Sequence, residues 1–306
     1  MIDSNSRIGI IGSGRLGTNL AVVLGHHGYE QVSITCRKSS SKPSIQALLP
    51  KVTIFDNNQD LADSSDLIII CTPDHQITTV AESTTWHSHQ SVIHCCGPLS
   101  YDVLTAAADS GASIGSFHPC QTFTGNINIA SVNKLFEGTL INVSSDSPTL
   151  SESLSNLSRK IGGIPISIPD ELRPLYHVAA VITCGSLAAL MSISMNIWKA
   201  IGLTESEAAS ALKTLSTTTL ANVHEHGIPA SLTGPILRQD FETIDSHLNA
   251  LMHYSPEAAG VYALLSKITL DGSSLPIEKD PNSKDVSNRY TDLIERISSC
   301  LSLIHI

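Results

Sequence analysis

The chain has 306 residues, of which 42% are hydrophobic and 15% charged, and a formal net charge of −10 at pH 7. That length accommodates two domains of ordinary size. The acidic balance excludes a general nucleic-acid or anionic-membrane surface, so any bound anion must be held by local cations.

Residues 7–12 read as a short apolar strand that runs into Gly12-Ser13-Gly14-Arg15-Leu16-Gly17, a G-x-G-x-x-G turn. An apolar helical stretch and a second strand, 31–36, follow. Strand, glycine turn, helix, strand is the context a dinucleotide fingerprint requires. Gly12 permits the tight turn, Gly14 the approach of a pyrophosphate, and Gly17 close packing of helix on strand. The phosphates are expected at the helix N-terminus, where free N–H groups and the dipole favour an anion. An NAD site places an acid after the second strand; here Arg37, Lys38 and Ser39 follow Cys36. Cations and hydroxyls suit a 2′-phosphate, so NADP(H) is the expected cofactor, bound by Gly12, Ser13, Gly14, Arg15, Leu16, Gly17, Arg37, Lys38 and Ser39.

Further short apolar runs at 52–55, 67–71, 92–96, 112–117, 139–143 and 164–168 alternate with helical stretches around 60–64, 75–83, 101–110 and 151–161. The alternation predicts a doubly wound parallel α/β sheet of Rossmann type over residues 1–168. Thr72 and Pro73 end one strand and are expected to line the cofactor, with Asp74 a candidate cap. Gly97, after His94-Cys95-Cys96, would admit the nicotinamide ribose. Cys95 and Cys96 point to opposite faces of a strand and read as packing. His118, in Ser116-Phe117-His118-Pro119, either touches substrate or cofactor or is a structural histidine bonded to backbone.

From residue 169 the pattern is all helical. Asp170 and Pro174 open a long helix that runs to about Gly202. Its stretch from Val178 to Trp198 carries no charge and is long enough to span a bilayer. Its serines, threonine and asparagine instead predict a central helix buried on most sides, with no membrane partner. His177 near its start either supplies a proton or sits as a satisfied core histidine. Thr204-Glu205-Ser206-Glu207 is a capping box that starts a helix ending at Gly227. A helix over about 235–253 would carry Arg238 and Asp240. Arg238 either clamps a substrate carboxylate through two parallel bonds or forms a structural bridge. Ser255-Pro256 starts another helix, 271–287 reads as a loop, and 287–301 as a final helix. His224-Glu225-His226 and His87-Ser88-His89 have the wrong spacing for one helical face, and no H-E-x-x-H occurs, so no metal is expected. The seven cysteines include no C-x-x-C pair. With no leader-like segment at the start, they predict a reducing, cytoplasmic setting.

Four segments, 12–17, 116–123 (SFHPCQTF), 175–185 (LYHVAAVITCG) and 233–240 (TGPILRQD), resemble a group of Rossmann-like proteins of long-unassigned function. That group is related to the 6-phosphogluconate dehydrogenase superfamily, and some members look like the alternative ketopantoate reductases of pantothenate synthesis (PanG type). The resemblance covers the chain to about residue 270. It implies a helical, 6-phosphogluconate-dehydrogenase-like domain over 169–306 that carries substrate and forms a homodimer. It also implies NADPH-dependent reduction of a small 2-oxo acid, and ketopantoate fits that chemistry foremost. In such an enzyme His177, and after it His118, is the expected proton donor, Arg238 would clamp the carboxylate, and Asp240 would orient Arg238 or a water. Another 2-oxo acid, an imine, or a non-catalytic NADPH sensor are the alternatives. The chain departs from the group at Cys184-Gly185, where Ser-Asn is common. It also lacks the superfamily's Lys-x-x-x-Asn pattern, whose positions hold His177 and Val181.

Overall fold

The computed structural model describes residues 2–125, 132, 134–238, 240–272 and 295. The described residues form an eight-stranded sheet in the order β3-β2-β1-β4-β5-β6-β7-β8. Its strands are β1 (Ile8–Ile11), β2 (Val32–Thr35), β3 (Thr53–Phe55), β4 (Leu67–Ile70), β5 (Ser91–His94), β6 (Ser113–Pro119), β7 (Leu140–Ser145) and β8 (Ile164–Ile166). Helices α1 (Arg15–His26), α2 (Lys42–Leu48), α3 (Asn58–Asp63), α4 (Ile77–Ser83), α5 (Thr105–Asp109) and α6 (Pro148–Lys160) lie between strands. The central strands β1 and β4 are apolar and buried throughout because both faces are covered. Leu67 and Ile69 enter one core with Leu20, Leu24 and Phe117. Ile68 and Ile70 enter the other with Ile11, Leu61 and Trp86.

Strands β1 to β6 are parallel, and β7 is antiparallel to β6, with Ser116 opposite Ser144 and Phe117 opposite Val143. The expectation of a wholly parallel sheet therefore fails at β7, because an apolar run encodes burial and not strand direction. Strand β6 also extends through Pro119, so His118 stands in the strand and not after it.

The chain divides into two compact units between Leu187 and Ala188. Strand β8 is the last of the sheet, and α7 (Arg173–Val181) stays with the sheet unit through its own side-chain bonds, so the division lies beyond the expected boundary between residues 168 and 169. In the second unit, α9 (Glu205–Ser231) starts with the complete Thr204–Glu207 capping box and loses helical geometry at Gly227, with φ of 78° and ψ of 167°. Helices α10 (Phe241–Tyr254) and α11 (Pro256–Gly272) share a core of Ile236, Ile244, Leu248, Ala259 and Ala263. The helix expected from about 235 begins only at Phe241. The side chain of Asp240 accepts from the Thr243 N–H at 3.2 Å, which fixes the start there. The expected loop 271–287 and final helix 287–301 lie outside the described residues, apart from 271, 272 and 295.

Asp170–Ala200 is a continuous helical run long and apolar enough to cross a membrane by length and composition. It includes α7, a π-helical turn (Ile182–Ser186) and α8 (Leu187–Ala200). The expectation that this helix is buried on most sides is wrong for the single chain, because no residue from 174 to 200 is buried. Its apolar side chains find no full cover among the described residues. Its front end, however, is bonded to the sheet through Arg173 and Tyr176.

Candidate active site

The carboxyl ends of β1, β2 and β4 enclose a cavity of about 850 Å³. Gly12 has φ of 113°, and a Cβ there would come within 2.9 Å of the Cys71 carbonyl oxygen. A Cβ on Gly17 would lie 2.0 Å from the Gly12 carbonyl oxygen, whereas one on Gly14 would meet nothing within 4 Å. Thus Gly12 and Gly17 are held by packing, and Gly14 leaves open space where a pyrophosphate must approach. The Gly12 N–H donates to Thr35 Oγ1 at 3.0 Å, which pins the turn to β2. Helix α1 has no side-chain cap and no acid in its first turn, so its N–H groups and dipole are free for an anion.

Arg37 and Lys38 line the same cavity, as do Ser13, Thr72 and Pro73. Thr72 Oγ1 is buried without a hydrogen-bond partner among the described residues. An open cradle, two cations beyond the second strand and an orphaned hydroxyl fit a phosphorylated dinucleotide. Ser39 is exposed in a short 3₁₀ turn and does not line the cavity, but Ser41 does. Arg15 and Leu16 begin α1 behind the turn.

A second group gathers at Gly97, beyond β5. A Cβ on Gly97 would lie 2.3 Å from His177 Nδ1 and 2.9 Å from His118 Nε2. Only a glycine lets both rings close over this backbone. The rings of His118 and His177 are 5.7 Å apart, edge to face, and His118 Nδ1 shares a 3.2 Å hydrogen bond with the Tyr176 hydroxyl. Burial, with the nearby His177 and Arg173, pushes His118 down to about 4. Burial, with Cys120 beside it, pushes the Tyr176 hydroxyl well up, so both groups are neutral at pH 7. His177 Nδ1 is buried and has no partner among the described residues.

Arg173 carries this arrangement from below. It is fully buried. Its Nη1 donates to Ser116 Oγ and Ser144 Oγ, each at 2.9 Å, and its Nη2 donates to the Cys96 carbonyl at 3.2 Å. Asp170 lies 3.6 Å away, and burial lowers the guanidinium pKa against that attraction. Residues 173, 176 and 177 share one helix face, so the bond that docks Arg173 also sets Tyr176 and His177 over Gly97. His94, fully buried, holds the other side. Its Nδ1 accepts the Cys96 N–H at 3.1 Å and its Nε2 donates to the Ser100 carbonyl at 3.1 Å, which fixes one neutral tautomer. Burial depresses its pKa to about 4.

The structure thus brings His118, His177 and Gly97 together, although they are far apart in sequence. Arg238 and Asp240 belong to the second unit, where Arg238 is exposed in the turn before α10 and Asp240 caps that helix. Sequence reasoning did not single out Tyr176 or Arg173 as site residues. The signal was available: three polar residues at i, i+3 and i+4 open an otherwise apolar helix.

Residues 7–98 match the family described as NADP oxidoreductase, coenzyme F420-dependent. Residues 139–269 match a domain described as being of unknown function, DUF2520. None of the curated proteins matches the chain. Among solved structures, a Bacteroides fragilis protein provisionally named an NADP oxidoreductase is 22% identical, with a TM-score of 0.70, covering 87% of this chain and 98% of that one. A Thermotoga maritima protein is 20% identical, with a TM-score of 0.68 and coverage of 86% and 98%. The pyrroline carboxylate reductase of Plasmodium falciparum, solved with NADP bound, is 13% identical, with a TM-score of 0.57 and coverage of 87% and 98%. The fold is therefore a Rossmann-like domain followed by a helical region, and its cofactor is NADP(H).

Proposed function

We propose that the chain reduces the ketone of a small 2-oxo acid, with ketopantoate as the substrate to test first and pantoate as its product. The observation that carries this reading is the gathering of His177, His118 and Tyr176 at Gly97, at the same sheet edge as the dinucleotide cradle. Bound NADPH supplies the hydride. The cradle of Gly12, Ser13 and Gly14 holds the pyrophosphate, and Arg37 and Lys38 hold the 2′-phosphate. His177 donates a hydrogen bond, then a proton, to the oxygen that gains charge as the carbonyl is reduced. The neutral His118–Tyr176 pair keeps the histidine ring in place and lines the site with donors. The buried Arg173 guanidinium adds positive potential. That favours a ketone, whose oxygen becomes negative, over an iminium, which arrives positive. A cyclic imine carboxylate is the second reading, favoured by the fold shared with the pyrroline carboxylate reductase.

The partner we propose is a second copy of the chain. Leu175 and Ile182 are 68% and 61% exposed, and α8 has no buried residue. Exposed Thr183, Ser186, Ser192 and Asn196 interrupt this apolar surface and suit a protein neighbour better than lipid.

The test is NADPH oxidation with ketopantoate, pyruvate, 2-oxoisovalerate and pyrroline carboxylate, with NADH as the cofactor control. Turnover of ketopantoate that falls in His177→Ala supports the reading. Turnover of the imine alone selects the second reading. NADPH binding with no turnover on any substrate refutes both and leaves a sensor.

A further inference from the structure

Cys71 and Cys95 follow β4 and β5 in register. Ile70 pairs with His94, so the two cysteines are the next residues of neighbouring parallel strands. Neighbouring strands lie about 4.8 Å apart, within the span of about 4–7 Å between the Cα atoms of a disulfide. The sulfurs are 3.7 Å apart, with the Cys71 thiol donating to Cys95. Cys96, by contrast, packs into the opposite core and is no competitor for this partner. Cys71 also lines the cofactor cavity. Its carbonyl oxygen is the atom nearest to a Cβ on Gly12, and its own Cβ lies 3.2 Å from where a Cβ on Gly17 would sit. The pair therefore stands directly under the glycine turn that cradles the pyrophosphate.

We propose that Cys71 and Cys95 are an oxidative modification site, closed to a disulfide by a hydroperoxide and coupled to NADP(H) binding. Cys71 is half-buried at the cavity wall and meets the oxidant. Its thiolate attacks the peroxide, an S–O bond forms, the O–O bond breaks and hydroxide leaves. The Cys95 sulfur then attacks the Cys71 sulfenic acid, the S–O bond breaks and water leaves. Two thiols give up two electrons and one peroxide becomes two waters. The hydrogen bond shared with Cys71, and burial, push the Cys95 thiol up, so Cys95 acts second. Drawing the two sulfurs together moves the end of β4 against the turn at Gly12 and Gly17. That turn has no slack, so the cradle distorts and the cofactor is lost. A bound cofactor in turn covers Cys71.

The test treats the full chain, in a Cys184→Ser background that removes an exposed thiol, with hydrogen peroxide, with and without NADPH. Peptide mapping reads the cross-link and titration calorimetry reads NADPH binding. The expected result is a 71–95 cross-link, an NADPH affinity reduced about tenfold or more and restored by dithiothreitol, and slower cross-linking when NADPH is present. The Cys95→Ala variant is expected to keep its NADPH affinity under the same mild oxidation. Failure of the cross-link to form, or a cross-linked protein that binds NADPH as the reduced one does, overturns the proposal. Neither readout depends on which substrate the enzyme takes.

Discussion

Replacing Gly97 with alanine separates two uses of that glycine: room for the cofactor, or room for the histidines. Its φ is not in the left-handed region, so alanine adds a methyl group without straining the backbone. The methyl carbon would lie 2.3 Å from His177 Nδ1 and 2.9 Å from His118 Nε2, whereas ordinary contact begins at 3.4 Å. The His177 ring must then retreat by about 1.1 Å and the His118 ring by about half as much, at an overpacking cost of about 1–2 kcal/mol. A displacement near 1 Å in a reacting group lowers the rate about 100-fold. Steady-state kinetics should therefore show kcat down by that order, while calorimetry finds NADPH affinity within about threefold of the parent. Unchanged kcat would refute the role given to the histidine pair. Lost NADPH affinity with normal kcat at saturation would return Gly97 to the cofactor.

His94 and His118 are both held near 4 in the folded chain against 6.5 for the free side chain. Between those values only the unfolded chain takes up the protons. Stability should thus be whole above pH 6.5 and fall progressively toward pH 4, by at most about 3 kcal/mol per histidine. A thermal midpoint that stays flat across that window in scanning calorimetry would contradict the burial argument. Arg37→Ala should weaken NADPH binding about 10- to 100-fold and leave NADH unaffected, and an equal loss for both nucleotides would show that the cation does not read the 2′-phosphate. Val181→Glu places a charge on the uncovered face of α7, where Val181 is 40% exposed. Light scattering should then find a monomer that still binds NADPH in place of a dimer, and a parent protein that is itself monomeric would end the pairing proposal.

All eight strands were legible, because each is a short apolar run bounded by polar or turn residues, and the glycine turn announced its own context. Direction was not legible at β7, since the ladder is set by which edge the returning chain meets. Helix α2 went unread because its first turn, Lys42-Pro43-Ser44, follows a serine run that looks like loop. Asp240 read as a functional acid in the sequence and is the cap of α10 in the fold. His118 and His177 were each readable as polar residues in apolar settings, but their meeting over Gly97 depends on Arg173. An arginine at a helix start ordinarily means a solvated charge. Nothing local says that this one passes beneath the sheet edge and binds two serines on different strands.

Those serines, Ser116 and Ser144, sit directly opposite each other, and their hydroxyls are 2.9 Å apart. In a ladder with a period of two, a slip of one residue turns one of them to the other face. The guanidinium would then lose half of its cradle and could not enter the sheet edge without an unsatisfied charge. Only a correctly registered sheet can accept the helix that brings Tyr176 and His177. Arg173 therefore acts as an assembly checkpoint, and a chain that has mispaired β6 and β7 is left without a reactive centre.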